Sequence, residues 1–235
     1  SDLADKSLAA GTGTPLTGIP LAYKDNICTT TEPTTAASKM LENYTSPFAA
    51  TLVEKLNEAG AVNLGKTNLD EFALGTSTAT SYFGASKNPF DLEASAGGSS
   101  GGSAVAVAAG LAAASLGTDT GGSIRQPAVL NGLTGLKPTY GRVSRLGLVA
   151  VGTSLEQAGP IARTAEDCAL ILQAIAGKDE ADVTTSSQPV EDYASQLANP
   201  IKGVKIGLPK EYFAVDLQLE VAALLEAAKQ NLQAL

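Results

Sequence analysis

The sequence contains no histidine and only two cysteines, Cys28 and Cys168, among its 235 residues. Without histidine a Ser-His-Asp triad is excluded, so any serine nucleophile in this chain needs a different base. The usual nitrogen and sulfur ligands of zinc are also missing, and we expect neither a metal nor another cofactor. The two cysteines form no CxxC pattern, which predicts two reduced, partly buried thiols.

Basic residues and long apolar runs are scarce as well. The chain has 16 basic and 24 acidic residues and no run rich in lysine or arginine, which argues against unaided binding to nucleic acid or to an anionic membrane. The longest apolar run, residues 104–114, is too short to span a bilayer, and the polar first residues contain no signal-peptide core. We therefore expect a soluble cytoplasmic protein with no direct contact to nucleic acid or membrane.

Glycine next to serine is what the chain has in abundance. The stretch from Gly97 to Pro127 reads GGSSGGSAVAVAAGLAAASLGTDTGGSIRQP. Within it, Ser123 follows two glycines and precedes a predicted helix, so backbone N–H groups and the helix dipole could stabilise an oxyanion that develops beside it. An ordinary helix N-cap explains Ser123 equally well, and the residues alone leave both interpretations open.

A glycine-rich loop and a lysine also allow two interpretations each. The segment GGSSGGS at 97–103 precedes a helix, as phosphate-binding loops do, but it is neither a Walker motif nor GxGxxG. Lys24, in LAYKDN, closes an apolar predicted strand. Most lysines are solvated surface charges, whereas one buried beside serines would have a lowered pKa and could act as their base.

The hydrophobic pattern predicts alternating strands and helices, which is typical of an α/β sandwich. Residues 119–122 are predicted to form a tight turn, and the polar stretch 179–199 a surface loop with a short helix. Asn68 and Ser103 are expected to cap the second and third predicted helices, and Thr164 the fifth. The strands are predicted at 18–23, 61–64, 115–118 and 204–208, and the helices at 50–59, 68–74, 104–114, 123–130, 164–176 and 217–235.

Taken together, GGSSGGS, the apolar helix after it, GTDTGGSIRQP and the upstream lysine in KDN resemble the amidase signature family. The spacing fits too, with 75 positions from Lys24 to Ser99 and 24 from Ser99 to Ser123. Within the family, the segments GIPLAYKDNICT and GLKPTYGRVSRLGLVA are most similar to the A subunits of glutamyl-tRNA(Gln) amidotransferases. The resemblance covers residues 15–235 and implies an α/β/α sandwich with a mixed, largely parallel sheet, in a single catalytic core over residues 1–235.

The resemblance implies amide hydrolysis by a Ser-cisSer-Lys triad. Ser123 would attack the amide carbonyl and form an acyl-enzyme that water then releases. Ser99, held by a cis peptide bond after Gly98, would relay the proton, and Lys24, neutral at rest, would be the final base.

The remaining site residues are also implied by the resemblance. The oxyanion hole would consist of the N–H groups of Thr120, Gly121, Gly122 and Ser123. Asp119 and Arg125 would brace the loop, Gly98 would permit the cis bond, and Ser100 and Ser103 would make structural hydrogen bonds.

The same resemblance implies a class of substrate and a class of partner. A small amide, glutamine or another, would be the substrate, and partner subunits of an amidotransferase complex are implied. The chain ends within a helical pattern without a C-cap. We expect that it lacks the family's amino-terminal helical segment and carboxyl-terminal half. An open sheet would then expose apolar surface and favour self-association. Three hypotheses stay open: a glutamine-hydrolysing member of such a complex, a stand-alone amidase or esterase of relaxed specificity, and an inactive fold fragment that serves as a binding module. A phosphate-binding protein is a fourth.

Overall fold

The computed structural model describes residues 2–213 and 217–235, and the chain divides into two compact units at residues 194 and 195. The first unit begins with helix α1 (Asp2–Ala9) and contains the sheet and the glycine-rich segments. The second unit holds a 3₁₀ helix (Lys210–Phe213) and helix α7 (Leu219–Ala234). Helix α6 (Tyr193–Gln196) forms a single turn at the division. That the whole chain folds as one domain stays a prediction.

A mixed five-stranded sheet organises the first unit. A mixed, largely parallel sheet was expected, whereas the strands at 134–135 and 157–162 were not predicted. Its strands are β1 (Pro20–Lys24), β2 (Val62–Thr67), β3 (Ala114–Asp119), β4 (Thr134–Gly135) and β5 (Gln157–Ala162). They lie in the order β2-β1-β3-β5-β4, with β2, β1 and β3 parallel to one another and β5 antiparallel to both of its neighbours. Because β1 and β3 are adjacent and parallel, their carboxyl ends, at Lys24 and Asp119, meet at one edge of the sheet.

Helices cover both faces of this sheet. On one face, α2 (Thr51–Glu58) and α5 (Ala165–Ile175) pack against Leu21, Tyr23 and Leu116 in the main hydrophobic core. The other face lies against α3 (Gly101–Ala108), since the Ser115 hydroxyl donates to the Ser103 carbonyl at 2.8 Å. On this side Ala104 of α3 also packs with Ala128 of α4 (Arg125–Leu130). The result is the expected α/β/α layering.

Two helices form where the periodicity places them. Helix α2 buries Leu52, Val53 and Leu56, an i, i+1, i+4 set that faces the core, and Gly60 follows its end with a φ of +81°. Helix α5 is capped as predicted, because the Thr164 side chain accepts a hydrogen bond from the Asp167 N–H at 3.0 Å.

The third predicted helix is shifted and shortened. Helix α3 begins at Gly101, with Ser100 at its N-cap, and ends at Ala108, whereas the sequence predicted a cap at Ser103 and an end at residue 114. Gly110 adopts a φ of +71°, which ends the helix and turns the chain toward β3. The predicted burial is confirmed for the helix that forms, since most of its residues are buried, but this helix includes Ser103 and residues 109–111 beyond it are exposed.

Two predicted elements are wrong. No helix is capped by Asn68: its side-chain oxygen accepts from the Ser81 hydroxyl at 2.6 Å, and only a 3₁₀ turn (Glu71–Ala73) forms, with Phe72 and Ala73 at positive φ. Residues 204–208 form no strand, because no neighbouring strand of the described second unit pairs with them. Alternating apolar residues predict a strand only when a sheet edge is available to pair with it.

Candidate active site

Lys24 lies at the end of β1, fully buried among oxygen atoms. Its Nζ is 2.7 Å from Ser99 Oγ, 2.9 Å from Thr118 Oγ1 and 3.3 Å from the Thr118 carbonyl. Lys24 and Ser99 are both inaccessible to solvent. A strand end therefore brings the sequence-predicted base into hydrogen-bond contact with a serine 75 positions away in the chain.

Burial changes the proton affinity of Lys24. Desolvation lowers the pKa of its ammonium group from 10.5 to about 7, although Glu156, Asp119 and Asp70 act in the opposite direction. A substantial fraction of the amine is therefore neutral at physiological pH. A neutral amine beside a serine hydroxyl can accept a proton, which an ordinary surface lysine at this pH cannot do.

Ser99 is held by the glycines that precede it. The Gly98–Ser99 peptide bond is cis, and the Gly98 N–H donates to Gln126 Oε1 at 2.9 Å. Gly97 has a φ of +75°, a conformation that side chains disfavour. The Ser100 N–H donates to the Ser123 carbonyl at 3.1 Å, so the segments that carry Ser99 and Ser123 lie side by side.

Ser123 is half-buried and follows a turn organised by Asp119. The Asp119 carboxylate accepts from the N–H groups of Gly122 at 2.7 Å and Ile124 at 3.1 Å, and Arg125 binds it through two nitrogens at 3.0 Å. Burial opposes ionisation of Asp119, but the bonds from Arg125 and the N–H groups prevail and lower its pKa. Asp119 and Arg125 thus fix the loop on which Ser123 stands.

The loop also determines which N–H groups are free for an oxyanion. The Gly122 N–H is engaged by Asp119, so we revise the expected donor set by removing Gly122. The N–H groups of Thr120, Gly121 and Ser123 donate no hydrogen bond within residues 2–213 and 217–235. The same part of the chain shows a Lys24–Ser99 link but no hydrogen bond from Ser99 to the Ser123 hydroxyl.

Ser100 and Ser103 fasten α3 to the sheet. Ser100 Oγ donates to the Thr118 carbonyl at 3.1 Å, and Ser103 Oγ donates to the Leu116 carbonyl at 3.0 Å. Three N–H groups of the glycine-rich loop donate to other protein atoms: Gly98 to Gln126, Ser100 to Ser123, and Gly102 to Asn68. These three donors are not available to a phosphate, which counts against the phosphate-binding alternative.

Comparison with known proteins identifies the family. The family model for Amidase matches residues 2–235. The chain belongs to the amidase family. Two curated relatives of this amidase-family chain are the A subunits of glutamyl-tRNA(Gln) amidotransferases: that of Halorhodospira halophila is 58% identical over 233 residues, and that of Coxiella burnetii is 57% identical over 230 residues. The alignments cover 99% and 98% of this chain and 48% of each relative, so the chain spans about half their length.

Solved amidase structures agree with this assignment. The A subunit of the Thermotoga maritima glutamyl-tRNA(Gln) amidotransferase superposes with a TM-score of 0.91 and 51% identity, covering 95% of this chain and 49% of that one. The native peptide amidase of Stenotrophomonas maltophilia gives a TM-score of 0.77 and 45% identity over 83% of this chain and 42% of that one.

The helices of residues 2–213 and 217–235 were also compared with the length and hydropathy of a membrane span, and none of them meets both requirements.

Several polar residues of the site were not predicted from the sequence. Asn26 donates to Thr118 Oγ1 at 3.0 Å and to the Val149 carbonyl at 3.0 Å, and so ties Thr118, which contacts Lys24, to the loop before β5. Glu156, fully buried in that loop, accepts from the Thr120 hydroxyl at 2.7 Å. The sequence did contain one signal for both residues: each is a polar residue next to the end of a buried strand. Asn26 follows β1 in KDN, and Glu156 precedes β5 in EQ.

Proposed function

We propose that this chain hydrolyses amide bonds through a Ser123 acyl-enzyme, with Ser99 and Lys24 as the proton relay. The observation that carries the proposal is the 2.7 Å contact between Lys24 Nζ and Ser99 Oγ, both fully buried. The lowered pKa of Lys24, about 7, makes the amine a competent base near neutral pH. In a chain without histidine, this arrangement supplies a base that can activate a serine.

The proposed reaction proceeds through an acyl-enzyme. Ser123 Oγ attacks the carbonyl carbon of the amide while its proton passes to Ser99 Oγ, whose own proton passes to the neutral amine of Lys24. The N–H groups of Thr120, Gly121 and Ser123 face the oxyanion that forms on the carbonyl oxygen. The C–N bond then breaks, and the proton returns from Lys24 through Ser99 to the leaving nitrogen, which departs as ammonia or an amine. Water attacks the ester by the reverse relay and frees the acid and Ser123.

Glutamine is the substrate we propose first. The relatives with identities above 50% over nearly the whole chain are the A subunits of glutamyl-tRNA(Gln) amidotransferases, which supports a glutaminase that delivers ammonia to a partner protein. On this proposal the chain acts in the cytoplasm with further subunits, and contact with tRNA is made by those subunits, as the net charge of −8 suggests.

A stand-alone amidase of relaxed specificity is the second candidate. The 45% identity to a peptide amidase supports it, because the Ser99, Ser123 and Lys24 arrangement is not specific for one acyl group. Activity without any partner distinguishes this candidate from the glutaminase of a complex, which is expected to require one.

Trapping of the acyl-enzyme tests the proposal. With hydroxylamine present, a serine ester partitions to a hydroxamate, so glutamine or a small aliphatic amide should yield the corresponding hydroxamate. The Ser123→Ala protein, which has lost only the attacking oxygen, should yield none. Equal hydroxamate formation by the parent and Ser123→Ala proteins, or none by either even with partner subunits added, would contradict the acyl-enzyme.

A further inference from the structure

The carboxylates around Lys24 differ in how their charges are compensated. Glu156, Asp119 and Asp70 all act on Lys24, Glu156 most strongly. Asp119 is paired with Arg125. Each oxygen of Asp70 accepts one bond, from the Ser77 N–H at 3.2 Å and from the Thr80 hydroxyl at 3.1 Å.

Asp25, the residue after Lys24, also has a partner of opposite charge. Asp25 lies 3.4 Å from the Lys66 ammonium group and accepts from Thr35. Glu156 and Asp70 are both fully buried, and neither makes an ion pair among the described residues. Glu156 differs from Asp70 because its Oε1 has no hydrogen-bond partner in that part of the chain.

The other oxygen of Glu156 holds two parts of the site together. Oε2 accepts from the Thr120 hydroxyl at 2.7 Å and from the Val151 N–H at 3.0 Å. Thr120 begins the turn that leads to Ser123. Two residues before Val151, the Val149 carbonyl accepts from Asn26, whose side chain also donates to Thr118 Oγ1. Glu156 is thus connected to Lys24 indirectly, through hydrogen bonds and the short backbone segments between them.

A neutral side chain could make the same two hydrogen bonds. A glutamine amide oxygen accepts from a hydroxyl and an N–H as a carboxylate does, without the desolvation cost of an unpaired buried charge. The charge on Glu156 therefore needs a nearby positive counterpart. The one formed during the reaction is Lys24 after it has taken up a proton.

We propose that Glu156 is a positioning residue for amide hydrolysis, holding the Thr120 segment and compensating the positive charge that Lys24 acquires when it accepts the serine proton. This inference rests on the proposed function for its role in turnover. Its electrostatic part concerns Lys24 alone and can be measured without turnover.

The test replaces the charge and keeps the shape. In the Ser123→Ala protein, which does not turn over, lysine labelled with ¹³C at Cε reports the titration of Lys24 by NMR, with Lys24→Met assigning the signal. Glu156→Gln should lower the Lys24 midpoint by about 0.5–1 pH unit, because a facing negative charge is removed. Glu180→Gln, which removes an exposed charge that pairs with Lys178, should leave the midpoint unchanged. An unchanged midpoint in Glu156→Gln would overturn the proposal.

Turnover supplies the second readout. In the parent background, Glu156→Gln should shift the acidic limb of kcat/KM down by the same interval and lower the plateau at least about tenfold, whereas Glu156→Asp should restore the position of the limb. A lowered plateau with an unmoved limb in Glu156→Gln would reduce Glu156 to a structural role and overturn the electrostatic claim. A parent protein without any turnover even when partner subunits are added would contradict the proposed function, while the lysine titration would still decide the link to Glu156.

If the Glu156→Gln protein does not fold, NMR of the parent protein still tests the proposal directly. In the folded parent chain labelled at glutamate Cδ, the Glu156 signal, assigned from Glu156→Asp, should move as Lys24 titrates near pH 7 and should not move in Lys24→Met. A Glu156 signal that is flat through this range in the parent would overturn the proposal.

Discussion

No space exists for a Cβ atom on Gly98 against the carboxylate of Asp70. An ideal Cβ there would overlap Asp70 Oδ2 and lie 2.6 Å from the Ser77 N–H nitrogen. Asp70 is fully buried and held by Ser77 and Thr80, so it cannot swing away. The contact between the Gly98 backbone and the buried Asp70 carboxylate therefore fixes the chain next to Ser99.

Gly98→Ala should destabilise the protein by about 3 kcal/mol, because the methyl group must displace backbone and a buried side chain. Gly121→Ala is the matched control: a Cβ at Gly121 meets nothing within 4 Å, and its loss of stability should be below about 1 kcal/mol. Urea unfolding of the two variants measures the difference. Equal stability of the two would contradict the steric account.

The pH dependence of turnover should follow the proton on Lys24. With its pKa lowered to about 7 by burial, the neutral, basic form increases about tenfold per unit of pH below 7 and levels off above it. A profile of kcat/KM for a small amide should therefore rise from pH 5 and reach a plateau near pH 8. Lys24→Ala should remove the rise together with the activity, and a flat profile in the parent would argue against lysine as the base.

The same pKa predicts how stability changes with pH. Lys24 has a folded pKa of about 7 and an ordinary value of 10.5, so between these limits the unfolded chain binds the proton and the folded protein does not. The parent should therefore gain about 1.4 kcal/mol of unfolding free energy per pH unit relative to Lys24→Met over this window. Below pH 7 the full penalty of the buried charge applies and the difference should be constant. Denaturant titrations of both proteins between pH 6 and 9 measure the slope, and a difference independent of pH would contradict a neutral Lys24.

Asp119 should matter for both stability and rate. Asp119→Asn keeps the size of the side chain but loses the charge-assisted bonds from Arg125 and two N–H groups, which should cost about 2–3 kcal/mol. Because Gly122 and Ile124, the two neighbours of Ser123, lose their anchor, kcat should fall at least about tenfold. The exposed Asp5→Asn serves as control for a lost carboxylate. Unfolding and rate measurements on the two variants check this, and an Asp119→Asn protein as stable and active as Asp5→Asn would contradict the role.

Much of the first unit could be predicted from local pattern. The apolar strand that ends at Lys24, the amphipathic helix α2 and the Thr164 cap of α5 each depend on residues within one or two turns of each other. The 68–74 helix was wrong because Asn68 and Asp70 bind residues 77–81 instead of their own backbone. Such choices are made by tertiary contacts, which a capping pattern does not contain.

The residues of the site that lie in motifs were predicted from the sequence, and the others were not. Lys24, Ser99 and Ser123 stand in motifs that resemble a family, and the structure brings Lys24 and Ser99 into contact. Glu156 and Asn26 carry no motif, and their contacts arise because β1, β3 and the loop before β5 end at one place. The use of the Gly122 N–H by Asp119 likewise depends on the turn geometry and not on the glycine itself.

Release of ammonia from glutamine and from a panel of small amides, by this chain and by Ser123→Ala, tests the central claim most directly. We expect turnover of at least one amide by the parent and a loss of about three orders of magnitude or more in Ser123→Ala, because the nucleophile is removed. Turnover of the small amides without a partner would favour the stand-alone amidase. Ammonia release that is equal in both proteins, or absent from the parent with every amide even when partner subunits are added, would contradict the proposed serine chemistry.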